Sequence, residues 1–239
     1  MSETIDRIES FIDSGQPHQH VVINADKVVR AHHDPEFRSI INRCDLINAD
    51  GMPVVWASKL LRRPLKERVT GVDLFYELVA SAARKGWRVY FLGARQEIVS
   101  ATVESLKAMH PSLIVAGSRH GYWQKDDEAA VVEQIRESSP DILFVAISSP
   151  KKEEFLAKYQ SAMGVPFAMG VGGTFDIVAG KTRRAPAWMR SVGLEWFYRF
   201  LQEPQRMFAR YFIHDMYFFW LLALEMARHN GRQLSAWIR

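Results

Sequence analysis

Residues 141–152 have the sequence DILFVAISSPKK, in which an apolar run of strand length leads directly into a polar loop. Five further apolar runs of this kind occur along the chain, with helical stretches between them. They are residues 20–23, 45–48, 88–92, 113–116 and 166–169. Strand-length runs that alternate with helices are typical of a parallel sheet in an α/β protein. The sequence therefore predicts an α/β fold, a Rossmann-like parallel sheet flanked by helices.

The pattern changes near the C-terminal quarter of the chain. From Ala185 onward no strand-length run remains and the apolar spacing becomes helical, with Pro204 expected at the start of a new helix. The uncharged stretch Met216–Leu224 covers nine residues, whereas a membrane span needs roughly 20. We expect this stretch to pack on the body or to lie in an interface. The predicted domains are an α/β domain over residues 1–190 and a helical appendage over residues 191–239.

Composition excludes several classes of protein. The 239 residues are 48% hydrophobic and 24% charged, as in an ordinary globular chain. The single cysteine, Cys44, excludes an internal disulfide and a cysteine-based zinc site. Residues 1–15 are too polar for a signal peptide, so we expect a cytoplasmic protein. The histidines show no metal-ligand spacing, and we predict no metal and no cofactor.

Positive charge and aromatic rings are concentrated in the last quarter of the chain. Residues 181–239 contain ten Lys or Arg against four Asp or Glu, and 13 of the 28 aromatic residues. This mixture suits an anionic membrane surface, an RNA backbone or a helical domain with a solvated face. Exposed apolar surface on such a segment would also favour a homo-oligomer. Composition alone leaves these alternatives open.

Polar or glycine-rich residues follow five of the six predicted strands. Ligands of open parallel sheets bind outside the carboxyl ends of the strands, so these loops are candidate ligand contacts. They are Asn24 with Asp26, Ala49–Gly51, Gly93–Arg95, Ser148–Glu153 and Gly170–Asp176. In the last of them, glycines would let backbone N–H groups approach a phosphate. A plain tight turn is an equally good interpretation of that glycine cluster.

Asp50 and the loop after it have two interpretations each. Asp50 directly precedes the apolar helical stretch Met52–Leu61, where it is either a cap or turn residue or a general base that takes a proton from an attacking hydroxyl. The next loop, residues 61–73, contains four basic residues. It is either a solvated surface loop or a lid whose arginine neutralises a diphosphate through bidentate contacts.

Several short motifs follow one another between about residues 20 and 211. They are NADGMPVVWA at 48–57, RVTGVDL at 68–74, FLGA at 91–94, SPKKE at 149–153, GVGGTFD at 170–176, RRAPAWM at 183–189, GLEWFYR at 193–199, EPQR at 203–206 and RY at 210–211. In this order they resemble the WecG/TagA/CpsF glycosyltransferases of bacterial cell-surface polysaccharide synthesis. The portion from Arg183 to Arg206 is the most specific part of the resemblance.

The resemblance implies an inverting, metal-independent transfer of an N-acetylmannosamine-type sugar or a related hexose. The implied donor is a UDP-sugar, the implied acceptor is a polyprenyl-diphosphate-linked sugar, and the implied location is the inner face of the cytoplasmic membrane. Asp50 is implied as the catalytic base. The implied substrate-binding residues are Asn24, Arg68, Thr70, Lys152, Glu153, Gly172, Gly173, Thr174, Asp176, Arg184, Arg199, Arg206 and Arg210.

Within that set the resemblance implies some individual roles. Asp176 corresponds to a position near the uracil, and Arg199 and Arg206 to arginines of an appendage that closes over the active site at the membrane and meets the diphosphate. Three positions depart from the family's pattern. Val22 stands in place of a threonine, Lys152 in place of a glutamine, and Ala209 in place of the first of two arginines.

Two other classes of function remain as alternatives. One is a non-enzymatic scaffold that binds a nucleotide sugar at the membrane. The other is a nucleic-acid-binding protein that uses the basic aromatic tail, although no RNA-binding signature is present. The resemblance favours the enzyme, with no nucleic acid as partner.

Overall fold

The computed structural model describes residues 1–191, 193–209 and 215–237. Six strands form one sheet of parallel strands in the order β2-β1-β6-β5-β3-β4. They are β1 His18–Ile23, β2 Leu46–Ala49, β3 Arg88–Gly93, β4 Ile114–Arg119, β5 Ile142–Ala146 and β6 Phe167–Gly170. All six strands predicted from the apolar runs are thus confirmed, and so is the α/β class.

Helices fill the chain between the strands and after β6. They are α1 Ser2–Ser14, α2 Ala25–His33, α3 Pro35–Asn42, α4 Met52–Leu60, α5 Gly71–Lys85, α6 Gln96–Met109, α7 Glu128–Ser138, α8 Lys151–Met163, α9 Thr174–Val178, α10 Ala187–Ser191, α11 Glu195–Gln202, α12 Pro204–Ala209 and α13 Asp215–Trp237. The predicted helix start at Pro204 is confirmed. No strand occurs among the described residues after Ala185, as the helical spacing predicts.

Local signals in the sequence explain where several of these helices begin and end. The Asp34 side chain caps α3, because its Oδ1 accepts a hydrogen bond from the Phe37 N–H at 2.9 Å. Gly86 ends α5 in the left-handed conformation, with φ of 75°. Aspartate before a first-turn proline and glycine after the last helical residue are common signals for the start and the end of a helix.

The chain divides into two compact units. Unit 1 comprises residues 1–22, 39–48 and 69–183, and unit 2 comprises residues 23–38, 49–68 and 184–239. Each unit is assembled from three separate pieces of the sequence. The predicted domain boundary between residues 190 and 191 stays a prediction.

The core of unit 1 covers both faces of the sheet. The aromatic rings of Phe75, Phe91, Phe144 and Phe175 contact one another on one face, with neighbouring centroids 4.6 to 6.4 Å apart. On the other face, apolar residues of β3 and β5 pack with α7 and α8. Strand β5 is buried along its whole length, as expected for a parallel strand with helices on both sides.

Unit 2 has a smaller apolar cluster of its own. Ala25 and Val29 of α2, Ala57 of α4, and Phe218 and Leu222 of α13 are buried together there. The predicted apolar stretch in the tail therefore contributes packing side chains to its own unit. Among the described residues, no helix is both long enough and apolar enough to cross a membrane.

The last residue of β3 approaches the end of β5 so closely that it must be a glycine. Gly93 has φ of 129°, and a Cβ added there would lie 2.4 Å from the carbonyl oxygen of Ala146. The next residue, Ala94, donates its N–H to that same oxygen at 3.0 Å. The backbone oxygen that blocks the side chain is therefore itself held in place.

We expect Gly93→Ala to reduce the free energy of unfolding by about 3 kcal/mol or more, because overpacking against backbone cannot relax by side-chain rotation. Gly164→Ala is the control. Gly164 has φ of 66° but no atom within 4 Å of an added Cβ, so it tests the conformational cost alone, about 1 kcal/mol. Urea unfolding measures both. Equal losses in the two variants would contradict the close contact.

Candidate active site

Asp50 and Asn24 come from neighbouring strand ends in unit 2. The Asp50 N–H donates to the carbonyl oxygen of Ile23 at 2.9 Å. A Cβ added to Gly51 would lie 3.5 Å from the Cβ of Asn24. The structure therefore places the candidate base and the candidate polar ligand contact on adjoining backbone, although 26 positions separate them in the sequence.

The local roles of these two residues differ. The N-cap of α4 is Gly51, so Asp50 precedes the cap position instead of occupying it. Asn24 is the N-cap of α2, and its Oδ1 accepts from the Lys27 N–H at 3.0 Å. A ligand contact by Asn24 would accordingly come from its amide NH₂ group, which is a donor.

A carboxylate shared by two arginines lies in the same unit. The Arg68 Nη2 donates to the Glu195 Oε2 at 3.0 Å, and the Arg184 Nε lies 3.6 Å from the Glu195 Oε1. The Arg68 side chain is only 16% exposed. Glu195 is the first residue of α11, where the helix dipole also favours a negative charge. Two positive charges and one negative charge leave this cluster positive.

The basic loop between residues 61 and 68 is not uniform. Arg62, Arg63 and Lys66 are exposed, as the solvated-loop interpretation predicts, whereas Arg68 is mostly buried. Arg68 is therefore the arginine of this loop whose surroundings fit an anion contact, because a guanidinium interacts more strongly with a phosphate where water is partly excluded.

A close contact joins the Asp50 loop to the segment before α11. Gly193 has φ of 79°, and a Cβ added there would lie 2.9 Å from the Cγ of Met52. Met52 is the first residue of α4, two positions after Asp50. Within unit 2, the chain segments that carry Asp50 and Glu195 therefore touch.

Lys152 and Glu153 form a buried ion pair in unit 1. The Lys152 Nζ lies 3.1 Å from the Glu153 Oε1, and both side chains are buried. The stem of Lys152 covers Gly170 at the end of β6, where an added Cβ would lie 2.8 Å from the Lys152 Cδ. The Lys152 cation is thus paired with an adjacent carboxylate.

The glycine-rich stretch after β6 forms a tight turn. The Val171 N–H donates to the Val145 carbonyl oxygen at 2.9 Å, and Gly172 adopts φ of 55°. The Thr174 hydroxyl is buried and donates to the Val171 carbonyl oxygen at 2.7 Å. Gly173 is the N-cap of α9. A phosphate contact by this turn stays a prediction.

Two other predicted contacts in unit 1 also interact with neighbours. Asp176, on α9, forms an ion pair with Lys181 at 3.4 Å. The Thr70 hydroxyl is the cap of α5, since it accepts from the Asp73 N–H at 3.1 Å and donates to the Asp73 Oδ2 at 2.6 Å. Thr70 therefore caps the start of α5, and its hydroxyl oxygen keeps a second acceptor lone pair.

The predicted arginines of the appendage are only partly described. Arg199 is half-buried on α11. Arg206 belongs to α12, but its side chain lies outside the described residues, as does the whole of Arg210. Among the residues that the structure describes, no three His, Cys, Asp or Glu side chains are grouped so as to hold a metal ion.

Glu195 is the main residue that sequence reasoning did not select. It lies 127 positions from Arg68, so no local spacing reveals the pair. The one available signal is compositional, because Glu195 is one of only four acidic residues among ten basic ones in residues 181–239.

The chain is similar to known glycosyltransferases. The sequence profile of the Glycosyl transferase WecG/TagA/CpsF family matches residues 1–232. Two similar proteins are both named N-acetylglucosaminyldiphosphoundecaprenol N-acetyl-beta-D-mannosaminyltransferase. The one from Bacillus spizizenii is 35% identical over 197 residues, which are 82% of this chain and 76% of the relative. The one from Bacillus subtilis is 33% identical over 184 residues, 77% of this chain and 71% of the relative.

The resemblance seen in the ordered motifs is therefore confirmed over nearly the whole chain. Both relatives are glycosyltransferases by name, and so is the matching family. The protein is a glycosyltransferase and belongs to the WecG/TagA/CpsF family.

Proposed function

We propose that this enzyme transfers an N-acetylmannosamine-type sugar from a UDP-sugar to a polyprenyl-diphosphate-linked sugar, with inversion and without a metal ion. The reaction takes place at the inner face of the cytoplasmic membrane. The observation that carries the proposal is Asp50 beside Asn24, in a unit that also contains the positive Arg68–Glu195–Arg184 cluster. The names of the two relatives support the acceptor and the transferred sugar.

Asp50 acts as the general base. A sugar hydroxyl is a poor nucleophile at neutral pH, and it must lose its proton as the new bond to the anomeric carbon forms. Asp50 accepts that proton while the bond between the anomeric carbon and the UDP oxygen breaks, and the bonding pair leaves with UDP. Attack from the face opposite to UDP inverts the anomeric configuration.

Arg68 and Arg184 compensate the negative charge of a diphosphate. Charge develops on the leaving group in the transition state, and positive groups fixed beforehand stabilise it without reorganising. A guanidinium has five N–H donors, so Arg68 can donate to Glu195 and to a phosphate at the same time. Glu195 keeps Arg68 in place between turnovers.

The buried pair Lys152–Glu153 bears on the choice of donor sugar. Because Lys152 pairs with Glu153, an adjacent negative charge compensates the lysine's positive charge. That balance supports a neutral amino sugar over a uronic acid as the transferred group. Asp176 and the Gly172–Thr174 turn are the other proposed donor contacts in unit 1.

Donor preference is the direct test of this proposal. UDP release is measured with purified protein, a short-chain lipid-diphosphate acceptor, and UDP-N-acetylmannosamine, its uronate or UDP-glucose as donor. We expect UDP-N-acetylmannosamine to give at least about tenfold higher kcat/KM than the uronate, a difference of about 1.4 kcal/mol. Preference for the uronate would contradict the neutral-sugar assignment. Donor binding without turnover on any acceptor would support a scaffold instead.

The role of Asp50 is tested by Asp50→Asn, which keeps the size of the side chain and removes its basicity. We expect kcat to fall by about 100-fold or more, while donor binding and the free energy of unfolding stay close to those of the wild type. Asp34→Asn is the matched control, because asparagine caps a helix as well as aspartate does. Unchanged UDP release by Asp50→Asn would rule out Asp50 as the base.

The role of Glu195 is tested by Glu195→Gln. Glutamine has no negative charge and one acceptor oxygen in place of two, so it holds Arg68 less firmly, and we expect kcat/KM to fall roughly tenfold. Glu9→Gln is the control, because it removes a carboxylate that is ion-paired with Lys85 at 2.6 Å and is similarly exposed. Steady-state kinetics of both variants give the measurement. Equal kcat/KM for Glu195→Gln and Glu9→Gln would contradict the assigned role.

A further inference from the structure

Helix α4 has one packed side and one exposed apolar side. Ala57 and Leu61 belong to the apolar cluster that includes residues of α2 and α13. Trp56 and Leu60 are four positions apart, so they share a different stripe of the helix. They are 44% and 54% exposed. The helix therefore presents a large aromatic and a large aliphatic side chain to its surroundings.

The loop after α4 folds back onto that helix. The Arg63 N–H donates to the Ser58 carbonyl oxygen at 2.8 Å, and the Leu65 N–H donates to the Ser58 Oγ at 3.2 Å. These bonds hold Leu65, which is 41% exposed, close to the end of α4. Ser58 is two positions from both Trp56 and Leu60, so it lies roughly 160° from each of them around the helix. Leu65 is therefore anchored on a different side of α4 from the exposed stripe.

Four basic residues lie on α4 or in the loop directly after it. No acidic residue occurs between Gly51 and Lys66, and the next residue, Glu67, is exposed. The exposed bases are Lys59, Arg62, Arg63 and Lys66. We call the six residues, these four with Trp56 and Leu60, the α4 patch.

The combination of cations and exposed apolar groups selects one kind of partner. An anionic lipid surface offers phosphate groups to the bases and an acyl boundary to the tryptophan and the leucine. A nucleic-acid backbone would match the bases but would leave Leu60 without a role. A second copy of the chain would place the same cations opposite one another in a two-fold contact.

We propose that the α4 patch is a membrane-contact site that docks on anionic phospholipid, separate from the C-terminal appendage. The proposal rests on the proposed function in that the acceptor is lipid-linked. Residues 51–67, which include the patch, connect Asp50 directly to Arg68 in the sequence. Docking of this segment on the bilayer brings the candidate base and the candidate diphosphate-binding arginine to the surface from which the acceptor headgroup projects.

Vesicle co-sedimentation with the full-length chain tests the proposal. The probes are vesicles of phosphatidylcholine with phosphatidylglycerol and vesicles of phosphatidylcholine alone. We expect Trp56→Gln/Leu60→Gln and, separately, Arg62→Gln/Arg63→Gln to weaken partitioning onto the anionic vesicles by about tenfold or more. The exposed positions and the good helix propensity of glutamine should keep the fold intact, which circular dichroism checks.

The matched control is Lys107→Gln/Met109→Gln on α6. It removes one exposed base and one apolar side chain that is 50% exposed, and it should leave vesicle binding unchanged. Binding of the patch variants equal to the wild type would overturn the proposal. Patch-dependent RNA binding or dimerisation with unchanged vesicle binding would overturn it as well.

A second readout separates the patch from the catalytic proposal. With a water-soluble short-chain acceptor and no vesicles, the patch variants should retain the kcat of the wild type. With an acceptor embedded in anionic vesicles, we expect the variants to be slower than the wild type. Loss of kcat on the soluble acceptor would overturn a purely docking role. If the protein transfers no sugar but its vesicle binding still depends on the patch, the proposed function is contradicted and the membrane-contact proposal stands.

Discussion

The dominant constraint on this molecule is a parallel sheet that is covered on both faces. Strand β5 has no solvent-facing side, and the aromatic cluster on one face and the aliphatic layer on the other leave no room for a polar ligand. Chemistry is then confined to the loops at the strand ends. The hydrogen bond from Asp50 to Ile23 and the turn after β6 both occur at such ends.

In unit 2 the positive charge of the mostly buried Arg68 needs a compensating partner. An isolated guanidinium in that position would be costly, and a partner carboxylate reduces the cost. Glu195 supplies that carboxylate to Arg68 and Arg184. The arrangement keeps two bases close together, at a spacing that repulsion alone would not allow, and it leaves the cluster positive.

The sequence predicts features whose signals are local. The six strands could be found because buried parallel strands are continuous apolar runs, and the starts of α3 and α12 because aspartate and proline favour helix starts. Family motifs likewise placed Asp50 in a candidate site. Long-range relations were out of reach, such as the Arg68–Glu195 ion pair and the burial of Lys152 with Glu153. Those contacts exist only once the chain has folded.

The small apolar cluster of unit 2 has a consequence for how the protein is made. Ala25, Val29 and Ala57 are covered by Phe218 and Leu222, which the ribosome adds more than 150 positions later. At ordinary synthesis rates the early helices wait for roughly ten to thirty seconds before their cover emerges. During that interval the apolar side chains of α2 and α4 lack the cover that α13 gives them in the folded chain. An interrupted chain therefore leaves this apolar surface exposed, and such surface promotes aggregation.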